Sequence, residues 1–181
     1  MIYENNLSGR YVELRSANVS DADFTLNIRL DPDFKKYFPD FKGTPETQAN
    51  WIRSQREKSG DYFFVIWDIK NNSRIGTISV YDFHDGECEG GRLAVKSSNP
   101  FHSVEAQLLA DKFAFEILGV NKIHAYVFAD NTRALNFSRL FGNVFEPAKF
   151  DPESNREIVH VYRTLENFNN ARKKIEAMLY R

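Results

Sequence analysis

A chain of 181 residues, 42% hydrophobic and 27% charged, with a formal net charge of −1, reads as one soluble globular domain over residues 1–181 with room for a sizeable core. No basic run or aromatic-basic interleaving marks a nucleic-acid or membrane partner, and no apolar stretch is long enough to span a bilayer. The single cysteine, Cys88, excludes an internal disulfide and fits a reducing cytoplasm. Residues 1–5 lack the basic and apolar regions of a signal peptide.

Residues 11–15 alternate as a strand. Ser20 is the expected N-cap of a helix that passes through Phe24, Leu26 and Ile28 and stops before Asp31-Pro32. Phe34, Tyr37 and Phe38 follow in a short aromatic-rich helix or loop. Thr44-Pro45 opens a second helix, running to residue 58, with Thr44 as cap, Pro45 at the first helical position, and Trp51 and Ile52 inward. Segments 62–69 and 74–83 form a hairpin across Asn71-Asn72-Ser73. A turn at 85–91 leads into a strand at 92–97 and a polar loop at 97–100. A helix from about 103 to 118 and a strand at 122–128 follow. A further helix opens at Asp130-Asn131 and closes at Phe141-Gly142. Segments 144–150 and 157–164 form a late hairpin, and 166–180 an extra C-terminal helix with a mixed-charge face. Strand, helix and strand over 92–128 make a right-handed βαβ unit. The expected fold class is therefore α+β, with flanking helices on a mixed, mostly antiparallel sheet that holds one central parallel pair.

The loop 97–100 lies at a helix N-terminus, where free N–H groups and the helix dipole favour an anion. Beyond it come Asp130-Asn131-Thr132-Arg133-Ala134 and Phe137-Ser138-Arg139-Leu140-Phe141-Gly142, with Gly76-Thr77-Ile78 upstream. This order, over nearly the whole chain, resembles the GNAT superfamily of acyl-CoA N-acyltransferases. It looks nearest to the branch of ribosomal-protein N-acetyltransferases and some amino-sugar acetyltransferases. The resemblance implies that strands 92–97 and 122–128 splay apart and hold the pantetheine arm of acetyl-CoA between them. It implies a CoA-contacting set of Val95, Ser97, Phe101, His102, Ser103, Asn131 and Ala134. Asn131 is the family's pantetheine contact and is equally a helix cap.

One part of the family pattern is missing. Where its members carry Gln/Arg-x-x-Gly-x-Gly/Ala, alignment on Glu105-Ala106 gives Ser98-Asn99-Pro100-Phe101-His102-Ser103-Val104, without the basic residue or either glycine. The expected replacements are backbone N–H groups of Phe101, His102 and Ser103, with hydroxyls from Ser97, Ser98 and Ser103. His102 reads as a phosphate contact or as an exposed loop histidine.

Acetyl transfer requires removal of the amine proton, a donor for the tetrahedral oxyanion and an acid for the departing thiolate. The resemblance assigns the thiolate donor to Ser138, seven residues beyond Asn131. Candidate bases cluster where the third strand turns into the fourth: Asp82, His84, Glu87 and Glu89. Glu89 is preferred because relatives often carry a Glu just before this strand's glycine. Glu157 and His160 form a second set. Phe34, Tyr37 and Trp51, with Asp82 and His84, are the expected acceptor contacts. No histidine or carboxylate spacing suggests a metal.

The reading is an acetyl-CoA-dependent, metal-free N-acetyltransferase that acts by direct attack of a primary amine in a ternary complex. The acceptor is an amino sugar, nucleotide-linked or not, or a protein N-terminus. By analogy with the family, edge strands and the late hairpin offer a homodimer surface. The degenerate loop motivates an alternative: a non-catalytic GNAT-like binding or regulatory module.

Overall fold

The computed structural model describes residues 1–39 and 41–181. Its elements run β1 (Leu7–Ser8), β2 (Val12–Ser16), α1 (Ala22–Leu30), α2 (Pro32–Lys35), α3 (Pro45–Glu57), β3 (Tyr62–Asp68), β4 (Ser73–His84), β5 (Glu87–Val95) and α4 (Pro100–Lys112). They continue with β6 (Lys122–Phe128), α5 (Thr132–Leu140), β7 (Val144–Phe145), β8 (Lys149–Asp151), β9 (Arg156–Thr164) and α6 (Leu165–Leu179). The mixed nine-stranded sheet has the order β1-β2-β3-β4-β5-β6-β9-β7, with β8 also on β9. The expected α+β class and single parallel pair are both present: β5–β6 is parallel.

Alternation along β3 explains the layering. Phe64 and Ile66 point to one face, where α4, the turn after it and α6 bury Leu108, Phe113, Phe168 and Ile175 against Leu14, Ile78, Cys88 and Ile123. Phe63 and Val65 point to the other, beneath Ala22 of α1 and Ile52 of α3. Phe113 opens a single π turn (Phe113–Ile117) that extends α4, with the Leu118 N–H bonded back to the Phe113 carbonyl. Edge-on rings of Tyr3, Tyr62 and Phe64 surround it at centroid distances of 4.9, 4.9 and 5.3 Å.

Two buried carboxylates on α4 tie this layer to the sheet. Glu105, fully buried, accepts the backbone N–H groups of Arg10, Tyr11 and Val12 at 2.8, 2.6 and 2.8 Å. Asp111 receives Arg163 of β9 through Nε at 2.8 Å and through Nη2.

Several boundaries differ from expectation for local reasons. The fourth central strand begins at Glu87 rather than 92, because Glu89, Gly90 and Gly91 pair with Tyr81, Val80 and Ser79. α4 starts at Pro100, with Asn99 as its cap; the fixed φ of proline suits the first helical position. Asn18, not Ser20, makes the first capping box, accepting from Ser20 N at 2.8 Å while Asp21 accepts from Asn18 N at 3.0 Å. The segment 144–150 divides into β7 and β8 around Pro147, which has no N–H for the ladder. Among the described residues, no helix is long and apolar enough to cross a membrane.

Candidate active site

β5 and β6 share only the pairs Glu87–Lys122, Cys88–Ile123 and Glu89–His124. Beyond them β5 stays with β4, reaching Val95–Gly76, while β6 stays with β9, reaching Phe128–Ile158. The two arms therefore part after Glu89 and His124, opening the splay that the family resemblance implied.

The β5 arm is bulged. Between the pairs Ser79–Gly91 and Thr77–Ala94, β5 has one residue more than β4. Arg92 takes a φ of +53° there, and Thr77 Oγ1 donates to its carbonyl at 2.9 Å. The strands pass so closely that a Cβ on Gly76 would stand 2.2 Å from the Ala94 carbonyl oxygen, so only glycine fits.

At the apex, the Tyr81 hydroxyl donates to the carboxylate of Glu89. Partial burial pushes the Glu89 carboxyl above its usual range, with Asp82 adding to the rise; the Tyr81 bond, Arg92 and His124 oppose it. The Tyr81 hydroxyl is itself pushed far up by burial and by Glu89. Arg92 lies 4.1 Å over the Tyr81 ring and 5.2 Å from that of Trp51. It is held by Asp61 at 2.8 and 3.3 Å and by Ser79 Oγ at 3.3 Å. The apex thus joins a half-buried carboxylate, a phenol and an aromatic-flanked guanidinium.

Beside it runs a second polar line. Glu87 receives Lys122 Nζ at 2.6 Å and His124 Nε2. His124 Nδ1 faces His160 Nε2 at 2.7 Å, and His160 Nδ1 lies 3.3 Å from Glu146 Oε1.

At the open end, Asp33, Phe34, Val95, Lys96, Ser97, Ser98 and Arg133 line a cavity of about 300 Å³. α2 crosses this mouth and is fastened at both sides. Lys96, just past β5, pairs with Asp31 at 2.5 Å. Arg156 of β9 donates to the Lys36 carbonyl at 2.7 Å and holds Asp130 at 2.7 and 2.9 Å, with its guanidinium 3.6 Å from the Phe128 ring centre.

The expected site residues fall into separate groups. Val95, Ser97 and Phe34 do line the mouth. The phosphate loop corrects the sequence reading. Phe101 N–H is taken by Asn99 Oδ1 at 3.0 Å and His102 N–H by the Asn99 carbonyl at 3.2 Å, because Asn99 forms its own turn before Pro100. Ser103 Oγ donates to the Pro100 carbonyl at 3.1 Å. His102 is buried, with Nδ1 2.8 Å from Ser97 Oγ, and is no exposed loop histidine. Asn131 is the cap of α5, accepting from Ala134 N at 3.1 Å. Ser138 is partly buried late in α5, its carbonyl accepting from Asn143 Nδ2 at 2.8 Å. Trp51 packs edge-on against Phe63 at 5.1 Å. Tyr37 lies toward the Arg156 guanidinium at 5.8 Å.

Asp82 and His84 stand exposed at the β4–β5 hairpin. His84 Nδ1 is 3.0 Å from the Asp82 carbonyl, and neither joins Glu89 in a hydrogen-bonded cluster. Sequence reading missed Tyr81, Arg92, Lys96, His124 and Arg133. Arg133 had a visible signal, a cation in the first turn after Asn131. The others depend on register across the bulge and the splay.

Comparison with known proteins fits this geometry. The family model described as an acetyltransferase (GNAT) domain matches residues 12–142. The acetyltransferase PseH of Campylobacter jejuni, serotype O:2, is 29% identical over 118 residues, covering 65% of this chain and 73% of that protein. Among solved structures, apo FdhC, described as a nucleotide-linked sugar GNAT, superposes with a TM-score of 0.80 at 23% identity, covering 98% of this chain and 99% of that one. The spermidine N-acetyltransferase of Vibrio cholerae, solved with CoA and spermine, gives 0.78 at 17% identity, covering 90% and 100%. With the family model spanning the bulged strand, the splay and α5, the chain belongs to the GNAT acetyltransferases and is an N-acetyltransferase.

Proposed function

We propose that this N-acetyltransferase takes its acetyl group from acetyl-CoA and delivers it in the cytoplasm to the primary amine of a nucleotide-linked amino sugar. The observation that carries the reading is Glu89, a half-buried carboxylate placed where the arms part and bonded to Tyr81. A carboxyl raised by burial is a stronger base than a free one and suits removal of an amine proton.

The mouth fits the phosphates of CoA. Lys96 and Arg133 supply the charge that the loop lacks, and Ser97 and Ser98 supply hydroxyls. This removes the main motive for a non-catalytic module. Acetyl-CoA, when bound, provides an activated thioester. The chain's residues do the rest. The bulge at Arg92 interrupts the β4–β5 ladder; in this reading a backbone N–H there serves the developing oxyanion, Glu89 accepts the amine proton, and Ser138 donates to the departing thiolate. Trp51 and Tyr81, flanking Arg92, form an aromatic and cationic wall suited to a sugar bearing phosphate. The nucleotide-linked form of the acceptor draws support from the description of FdhC.

Calorimetric titration with acetyl-CoA and desulfo-CoA, followed by an acceptor screen, tests the reading. Both should bind, Lys96→Ala and Arg133→Ala should each weaken binding about tenfold, and UDP- or dTDP-linked amino sugars should outpace free amino sugars, peptides and polyamines. No binding at millimolar CoA would overturn it. Equal rates for free and nucleotide-linked sugars would overturn the acceptor.

A further inference from the structure

His124 and Tyr126 of β6 share a sheet face with Ile158 and His160 of β9. Glu89 is on that face too, because Glu87, two residues before it on β5, meets His124 there. Over β3 the face is covered by α1 and α3. Over β6 and β9 it holds a cavity of about 180 Å³, lined by Tyr126, Glu146, Pro147, Lys149, Ile158 and His160.

A register change makes the cavity. Phe145 pairs with Val161 and Lys149 with Ile158, so the segment between β7 and β8 has one residue more than the stretch of β9 opposite it. Pro147 has no N–H to close the gap. Pro147 and Ile158 give the cavity apolar sides. Its aromatic surface is a pair of rings, Tyr126 and His160, stacked at 5.0 Å with an interplanar angle of 23°. His160 Nε2 is fixed by His124 Nδ1 at 2.7 Å. Tyr126 is nonetheless 56% exposed, so ring surface stays open to a ligand. Beside the rings, Glu146 offers acceptor oxygens and Lys149 Nζ, 3.6 Å from Glu146 Oε2, offers donors.

We propose that this cavity receives the uracil or thymine ring of the acceptor, stacked on Tyr126 and read at its edge by Glu146 and Lys149, and so selects the acceptor at a distance from the chemistry. This subsite rests on the nucleotide-linked acceptor proposed above.

Size, edge and reach agree with it. Pockets for whole ligands span roughly 300–1,000 Å³; this one takes a single ring and leaves the rest of the ligand outside. A pyrimidine base stacks readily on an aromatic side chain. The pairing edge of uracil and thymine sets an N–H beside a carbonyl oxygen, which meets a carboxylate beside an ammonium: the N–H donates to Glu146 and the carbonyl accepts from Lys149. From Glu89, one strand step to His124 and two residues along β6 lead to Tyr126, roughly 8 Å away, and His160 is one strand spacing of about 5 Å beyond. The sugar and the diphosphate span the interval between amine and base.

UDP and dTDP carry the base and phosphates without an amine, so calorimetric titration of desulfo-CoA-loaded protein with each tests the subsite without acetyl transfer. Both should bind the wild type. Tyr126→Ala should weaken them at least about tenfold, Tyr126→Phe should keep wild-type affinity, and Glu146→Gln should lose several-fold. Affinity for desulfo-CoA should be the same in all three variants. UDP binding equally well to wild type and Tyr126→Ala would overturn the subsite and leave the nucleotide-linked acceptor standing. A parallel loss of desulfo-CoA affinity in Tyr126→Ala would mark the tyrosine as structural and overturn the subsite as well. Absence of UDP and dTDP binding to the wild type would overturn the nucleotide-linked acceptor, and the subsite with it.

Discussion

Tyr81 and Glu89 face each other across the β4–β5 ladder, and the tyrosine hydroxyl donates to the carboxylate. The space for this bond exists because residue 91 is glycine: a Cβ there would lie 2.8 Å from the Tyr81 hydroxyl oxygen.

Replacing Glu89 with Gln keeps an acceptor for Tyr81 and removes the proposed base. kcat/KM should fall about 10²–10⁴-fold. Stability should move the other way. Burial raises the carboxyl, so its contribution to stability is present when it is protonated and is lost as pH rises through the folded-state value. Urea midpoints should show Glu89→Gln gaining on the wild type as pH rises from the usual carboxylate value of 4.5 through the raised one. A variant that lost stability and activity together would mark Glu89 as structural.

Gly91→Ala should disturb the same bond from the other side. The forced shift of Tyr81 is expected to destabilise the protein by about 1–3 kcal/mol and to lower kcat more than KM for acetyl-CoA rises. Chemical denaturation and steady-state kinetics check both parts.

Asp111→Asn leaves the Arg163 guanidinium buried without a counter-charge, both side chains being under 5% exposed. The expected loss is about 3–5 kcal/mol, seen in the denaturant midpoint with an unchanged m value.

Glu87 gives a pH dependence of opposite sign to Glu89. Lys122 and His124 hold its carboxyl down to about 2 from the usual 4.5. Its contribution is present above that usual value and is lost as pH falls through the folded one. Glu87→Gln should therefore flatten acid destabilisation between about pH 4.5 and 2. Thermal melts across that range check it.

How far the sequence carried the fold depends on the range of the forces involved. Thr44-Pro45 and the 62–83 hairpin were legible because caps, proline geometry and alternation act over a few residues. Arg133 was within reach for the same reason. Two of the loop's three expected N–H donors are occupied because Asn99, two residues before Phe101, turns back to take its N–H and gives its carbonyl to His102, a local competition that motif alignment does not weigh. Glu89 could be picked out as a candidate, but Tyr81 could not be paired with it, since the register across a doubled glycine and a bulge is set by tertiary packing. The His124–His160 contact joins strands 36 positions apart and has no sequence signature.

The fastening of α2 changes what kind of object the cleft is. Two strand arms joined only at Glu87–Glu89 and Lys122–His124 would make a wedge on a single hinge. With Lys96 on Asp31 at one arm and Arg156 on Lys36 at the other, the arms and α2 close into a ring. Widening such a ring bends its strands unless a tie is released, and the Lys96–Asp31 pair, with Lys96 exposed to solvent, is the weaker tie, because a surface ion pair contributes little. The stiffness of the whole cleft is therefore set by one solvent-facing contact and should fall as ionic strength rises.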